Sequence, residues 1–163
     1  NLYGPNDNYK SGESHVIASL IKKFYEAKIY NSKEVICWGT GAPLREFLFV
    51  EDFADACFHI LQNWPDLSNK VLKTKNRNDL NWLNIGSNFE ISIQSLAEKI
   101  ANTVGYKGEI IWDKSKPDGT PRKKLDNQRI NKFGWHAKTD LDQGLAKTFE
   151  SFKSELKNKT IRI

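Results

Sequence analysis

Apolar positions recur along this chain with two periods, and the periods alternate. In SHVIASLIKKFYEAK, Val16, Ile17, Leu20, Ile21 and Phe24 share one helical face, with Ser14 placed to cap it. EVICW (34–38) is a short apolar run of strand composition. A GTGAP turn follows, and LREFLFV (44–50) reads as a second strand. EDFADACFHILQNW returns to helical spacing, with Phe53, Ala56, Cys57, Ile60 and Leu61 on one face and acids in the first turn, where they suit the helix dipole. The polar segment 68–80 reads as an exposed loop, and NWLNIGS (81–87) as a strand ending in a turn. SIQSLAEKIANTVG sets Ile93, Leu96, Ala97 and Ile100 on one side of a helix that Gly105 can end. GEIIWD (108–113) is another strand, KSKPDGTPRKKLD (114–126) a turn-rich basic loop, and two helices over 127–134 and 140–156 finish the chain. Helices alternating with short strands predict an α/β protein, or an irregular α/β lobe of a larger enzyme.

Composition narrows the class. The chain has 163 residues, 39% of them apolar and 28% charged, which is globular composition with enough length for one core. No run approaches the roughly 20 apolar residues of a membrane-spanning helix. Cys37 and Cys57 each sit in an apolar run without metal spacing, so reduced thiols and a cytoplasmic setting are expected. The net charge of +5 accommodates an anionic ligand. No clustered basic face or aromatic stacking motif marks a nucleic-acid binder, and neither nucleic acid nor membrane is an expected partner. NLYGPNDN, which opens the chain without Met, spells turns rather than a first strand, so the sequence is expected to be a piece of a longer one.

Three places could carry chemistry. In WGTGAPLREFLF, Gly39 and Gly41 permit a sharp turn and Pro43 stiffens its exit. If 44–49 is one strand, Arg45, Phe47 and Phe49 share a face. Arg45 is then either an edge-strand side chain in water or a phosphate ligand, a task that suits its planar fork. In SKPDGTPRKKLD, Pro117, Gly119 and Pro121 make the loop rigid. Asp118 could accept from hydroxyl or base N–H groups while Arg122, Lys123 and Lys124 meet phosphate; the other reading is a solvated basic turn. His15, at the start of the first helix, is either a plain N-terminal polar residue or a general acid or base near neutral pH. His59 and His136 read as structural or surface residues, and the lysine-rich tail as a solvated end. The chain holds no G-x-G-x-x-G loop, no Tyr-x-x-x-Lys pair, no P-loop and no zinc spacing.

NLYGPNDN, SHVIASLIKKFYEAK, VICWGTGAPLREFLFVEDFADAC, NIGS and VGYKGEIIWDKSKPDGTPRKKLD together resemble the C-terminal part of the GDP-L-fucose synthase family. That family lies within the extended short-chain dehydrogenase/reductase superfamily. WGTGAPLREFLFVED alone would fit many nucleotide-sugar epimerases and dehydratases, and a substrate lobe from one of these is the alternative. The resemblance implies that residues 1–163 are a substrate-binding C-terminal lobe with the last part of a Rossmann domain, whose core is absent. It implies NADP as cofactor, a GDP-4-keto-6-deoxy-D-mannose substrate and a homodimer. By the same resemblance Asn1, Leu2 and His15 lie against the cofactor, and His15 donates protons during 3,5-epimerisation. Lys23, Trp38, Arg45, Asp118 and Lys123 fall at substrate-binding positions. Lys23 stands where many members carry Arg, which keeps the charge but loses the bidentate fork.

Overall fold

Residues 1–70 and 82–163 are described by the computed structural model, with the backbone alone over 64–70. The elements run β1 (Leu2–Tyr3), α1 (Val16–Ile29), β2 (Glu34–Trp38), β3 (Leu44–Glu46), β4 (Leu48–Phe49), α2 (Val50–Lys70), β5 (Glu90–Ser92), α3 (Ile93–Val104), β6 (Glu109–Asp113), β7 (Arg122–Lys123), α4 (Gln128–Lys132) and α5 (Leu141–Asn158). The expected α/β architecture is present, divided among three small sheets. β1 pairs with β4 and β2 with β6, both parallel, while β3 lies between antiparallel β5 and parallel β7.

The core forms where three amphipathic helices meet the sheets. Ile17, Leu20, Ile21 and Phe24 of α1, Leu96, Ala97, Ile100 and Val104 of α3, and Leu145, Phe149 and Phe152 of α5 are buried together with Val35, Cys37, Phe47 and Phe49. Each fully buried side chain of this size contributes about 1.5–3 kcal/mol. A smaller cluster of Leu48, Ala56, Ile130 and Trp135 lies under α2. Local signals set the limits of α3: Ser92 Oγ accepts the Ser95 N–H at 3.0 Å, and Gly105 ends the helix at φ 78°, where a side chain would be strained. Asp140 caps α5 in the same way, accepting the Gln143 N–H at 2.8 Å.

Several expectations are corrected. His15, not Ser14, occupies the N-cap position of α1, and its side chain makes no capping bond. LREFLFV is two strands broken at Phe47, because β3 and β4 belong to different sheets. Phe47, Leu48 and Phe49 are all buried, so the alternation that would have set Arg45, Phe47 and Phe49 on one face is lost. Residues 82–87 form no strand; the strand there is β5, immediately before α3. Leu61 is 76% exposed and does not join the buried face of α2. His59 keeps the structural reading, with the Phe133 carbonyl 3.1 Å from its Nε2. The tail is not free: Ile161 packs on the core, and Arg162 forms a parallel bridge with Asn8 and donates to the Asn6 carbonyl. The loop expected over 68–80 lies largely outside the described residues; 68–70 belong to α2. Among the described residues no helix is long and apolar enough to cross a membrane, and no His, Cys, Asp or Glu cluster could hold a metal ion.

Candidate functional site

The turn between β2 and β3 passes directly under the basic loop before β7. Gly39 and Gly41, at φ 81° and 75°, make the reversal possible. A Cβ on Gly41 would press within 2.9 Å of the Trp112 ring, so bulk is excluded there as well as the conformation being glycine's own. β3 and β7 then run side by side, with Leu44 opposite Arg122 and Arg45 opposite Lys123. The Leu44 N–H donates to the Pro121 carbonyl at 2.8 Å and closes the start of this pairing.

Residues opposite one another in a ladder point to the same face. Arg45 and Lys123 therefore present two cations side by side, an arrangement that costs stability unless an anion lies across them. The acids nearby do not neutralise them. Glu90 takes Arg122 bidentately at 2.8 and 2.6 Å and meets Lys124 at 3.6 Å. Arg122 hydrogen-bonding and charge hold the Glu90 carboxyl below its ordinary range, so it stays ionised and keeps both cations engaged. Arg45 donates only to its own strand, at the Leu44 carbonyl (2.7 Å), and neither Arg45 nor Lys123 forms an ion pair among the described residues. Of the three consecutive cations in the loop, the geometry leaves Lys123 for a ligand.

A hollow of about 500 Å³ is lined by Gly12, Ser14, Lys23, Cys37, Trp38 and Trp112, among others. Trp38 is 71% exposed, and the Lys116 ammonium lies 5.6 Å from its ring centroid, so the indole face is a platform that already attracts a cation. Lys23 Nζ donates to the Ile36 carbonyl at 2.6 Å, which places its charge at the exposed edge of β2. Arg45, Asp118 and Lys123 lie outside this lining. Asp118 accepts from the Thr40 N–H at 2.8 Å and the Thr40 hydroxyl at 2.7 Å.

The start of α1 divides this hollow from a second, of about 330 Å³. Ser14 and Val16 line the first; His15 lines the second together with Leu2, Gly4, Asp7 and Arg162. His15 is exposed and Leu2 is 42% exposed, so both could touch a bound molecule. Asn1 is held beside them by its amide, which donates to the Glu46 carbonyl at 2.8 Å.

Glu46 was not singled out by the sequence, yet it supports the site. Its carboxylate is buried beneath β3, forms no ion pair among the described residues, and accepts the Asn88 N–H at 2.7 Å, the Leu125 N–H at 2.9 Å and the Asn127 amide at 3.0 Å. One side chain thus ties the loop before β5 and the segment after β7 to the strand that bears Arg45. Its only sequence signal was its place next to Arg45. Thr40 and Arg162 were also missed. A hollow of about 520 Å³ between residues 87–89 and 137–142 holds none of the expected residues, and its lysines are engaged, Lys99 with Asp142 and Lys138 with Asp55.

Comparison with known proteins gives this geometry a lineage. Residues 1–72 match the NAD dependent epimerase/dehydratase family. The chain is 44% identical over 150 residues to a probable GDP-L-fucose synthase of Oryza sativa subsp. japonica, covering 92% of this chain and 42% of the relative. It is 43% identical over 152 residues to the GDP-L-fucose synthase of Escherichia coli K12, covering 93% and 46%. Its fold superposes with a TM-score of 0.81 on a GDP-L-fucose synthetase of Naegleria fowleri solved with NADP, at 25% identity, covering all of this chain and 45% of that one. The chain thus spans less than half the length of these relatives. Its first 72 residues match the NAD dependent epimerase/dehydratase family, and GDP-L-fucose synthases are among the proteins that the chain as a whole is similar to.

Proposed function

We propose that this chain is the GDP-sugar-binding part of a GDP-L-fucose synthase. The whole enzyme would convert GDP-4-keto-6-deoxy-D-mannose to GDP-L-fucose by 3,5-epimerisation and NADPH-dependent 4-reduction. The observation that carries the reading is the side-by-side placement of Arg45 and Lys123 without anionic partners among the described residues. A diphosphate is the anion that best fits a planar fork next to a point charge. Trp38 offers a ring face to the rest of the nucleotide sugar, Lys23 a further cation, and Asp118 an acceptor for hydroxyl or base N–H groups.

The 4-keto group acidifies the C3 and C5 protons of such a sugar. His15, exposed and lining the smaller hollow, is the group we assign to return a proton after each is removed. In the whole enzyme, His15→Asn is expected to abolish exchange of the C3 and C5 protons with solvent, followed by NMR in D₂O; unchanged exchange would rule this role out.

The residues present fit one wall of a nicotinamide nucleotide site, not all of it. Leu2 gives apolar surface, Asn1 an oriented amide and His15 a polar ring, but the 163 residues contain neither a G-x-G-x-x-G loop nor a Tyr-x-x-x-Lys pair. The bound cofactor would supply a hydride to C4. This chain's own residues bind and orient the sugar nucleotide, with the Rossmann core outside residues 1–163. A cytoplasmic homodimer is the setting proposed for the whole protein.

The family model also covers epimerases and dehydratases of other nucleotide sugars, and its match includes Lys23, Trp38 and Arg45. Calorimetric titration of the chain with GDP, UDP and dTDP separates the readings. GDP is expected to bind at least tenfold more tightly, a difference of about 1.4 kcal/mol. Equal affinities, or a preference for UDP or dTDP, would favour a relative acting on another sugar nucleotide.

A further inference from the structure

We infer that Thr40 is a positioning residue: it clasps Asp118 and so holds the 114–121 loop across the turn that leads to Arg45. The anion cradle is then assembled before a ligand arrives. The inference rests on the proposed GDP-sugar reading and adds to it a residue that would touch no ligand.

Each Asp118 oxygen accepts one bond from this residue, Oδ1 from the Thr40 N–H at 2.8 Å and Oδ2 from its hydroxyl at 2.7 Å, and each keeps a lone pair for a ligand. The same hydroxyl accepts the Ala42 N–H at 3.1 Å, which fixes its rotamer inside the turn. Space is kept for the clasp: a Cβ on Gly39 would collide with Asp118 Oδ1. Two further contacts hold the loop on either side, Lys116 over the Trp38 ring at 5.6 Å and the Pro121 carbonyl on the Leu44 N–H at 2.8 Å. Past the clasp, a Cβ on Gly119 would stand 3.0 Å from Arg45 Nη2, so the loop passes close over the guanidinium.

The clasp brings the loop's cations to the Arg45 turn without ligand binding having to supply the ordering. A loop that is only fractionally closed lowers apparent affinity by that fraction. The Thr40 hydroxyl and N–H also hold the Asp118 carboxyl below its usual range, which gives the clasp a spectroscopic signature independent of any ligand.

Thr40→Val keeps the β-branched shape and removes the hydroxyl; Thr40→Ser does the reverse. Thr40 and Asp118 are both exposed, so neither variant should disturb the core. In Thr40→Val the Asp118 carboxyl, followed by ¹³C NMR titration, is expected to titrate at higher pH, and GDP affinity to fall about five- to tenfold. Thr40→Ser should leave both within twofold of the wild type. An unchanged Asp118 titration in Thr40→Val, unchanged GDP affinity despite a shifted titration, or a Ser variant that behaves like Val would each overturn the inference. If the wild-type chain binds no GDP, the proposed function fails separately, and the clasp is judged by hydrogen exchange of the Leu44 amide. Exchange faster in Thr40→Val and unchanged in Thr40→Ser upholds it; equal exchange in all three proteins overturns it.

Discussion

Glu46→Ala is expected to destabilise the protein by about 3–5 kcal/mol, lowering the thermal midpoint by on the order of 10 °C. The reason is the environment of one carboxylate. Glu46 is 3% exposed and accepts from two backbone N–H groups, at Asn88 and Leu125, and from the Asn127 amide. Truncation leaves two backbone N–H groups without an acceptor, each at a cost of about 1–3 kcal/mol, and the Asn127 amide with only its 3.2 Å bond to Asn88 Oδ1. It also opens a cavity beneath β3. The carboxylate is closely packed in the wild type, where a Cβ on Gly86 would come within 2.5 Å of Glu46 Oε1. Glu46→Gln keeps the shape and two acceptor contacts but turns an N–H toward a donor, so an intermediate loss is expected. Urea and thermal unfolding of the two variants check the order. A loss below about 1 kcal/mol in Glu46→Ala would mean that the carboxylate is not the support described.

Arg45→Ala is expected to move stability and binding in opposite directions. Without ligand, removing Arg45 relieves its repulsion with Lys123 across the β3–β7 ladder, so the melting temperature should hold or rise slightly. With GDP, the same change removes the planar fork, and affinity should fall by about 10- to 100-fold, in line with about 1.5–3 kcal/mol for hydrogen bonds to a charged group. Arg45→Lys keeps the charge but not the geometry and should recover only part of the loss. Melting curves with and without GDP, together with calorimetry, measure both effects on one sample. A variant that loses stability and keeps its GDP affinity would assign Arg45 to the fold rather than to a ligand.

Much of the fold was legible because some segments carry their own boundaries. Helix α3 has a serine that caps it, a glycine that ends it and five buried positions at helical spacing between them. β2 and β6 stand out as apolar runs between turn residues. LREFLFV was misread because period alone cannot show that a strand changes partners midway. Leu44–Glu46 pairs with β5 and β7, whereas Leu48–Phe49 pairs with β1. Residues 82–87 have strand composition yet form none, and Glu90–Ser92 pairs instead because it lies opposite β3.

The candidate site was legible in segments but not in geometry. Arg45 and Lys123 could each be suspected from glycine- and proline-bounded loops; that they are partners in one ladder is a property of the β3–β7 pairing. The choice of Lys123 over its two neighbours depends on Glu90, which binds both of them from β5. Thr40 carried no signal beyond lying between two glycines, and its contact with Asp118 follows from the loop closing over the turn.

The central claim is that one ligand bridges the turn and the basic loop, and an NMR titration of the chain with GDP tests it most directly. The indole N–H of Trp38, the Nε–H of Arg45 and the amides of Gly119 and Lys123 are expected to shift together and to saturate along a single binding curve. Shifts confined to the hollow between residues 87–89 and 137–142, or none at these four positions at saturating GDP, would contradict it.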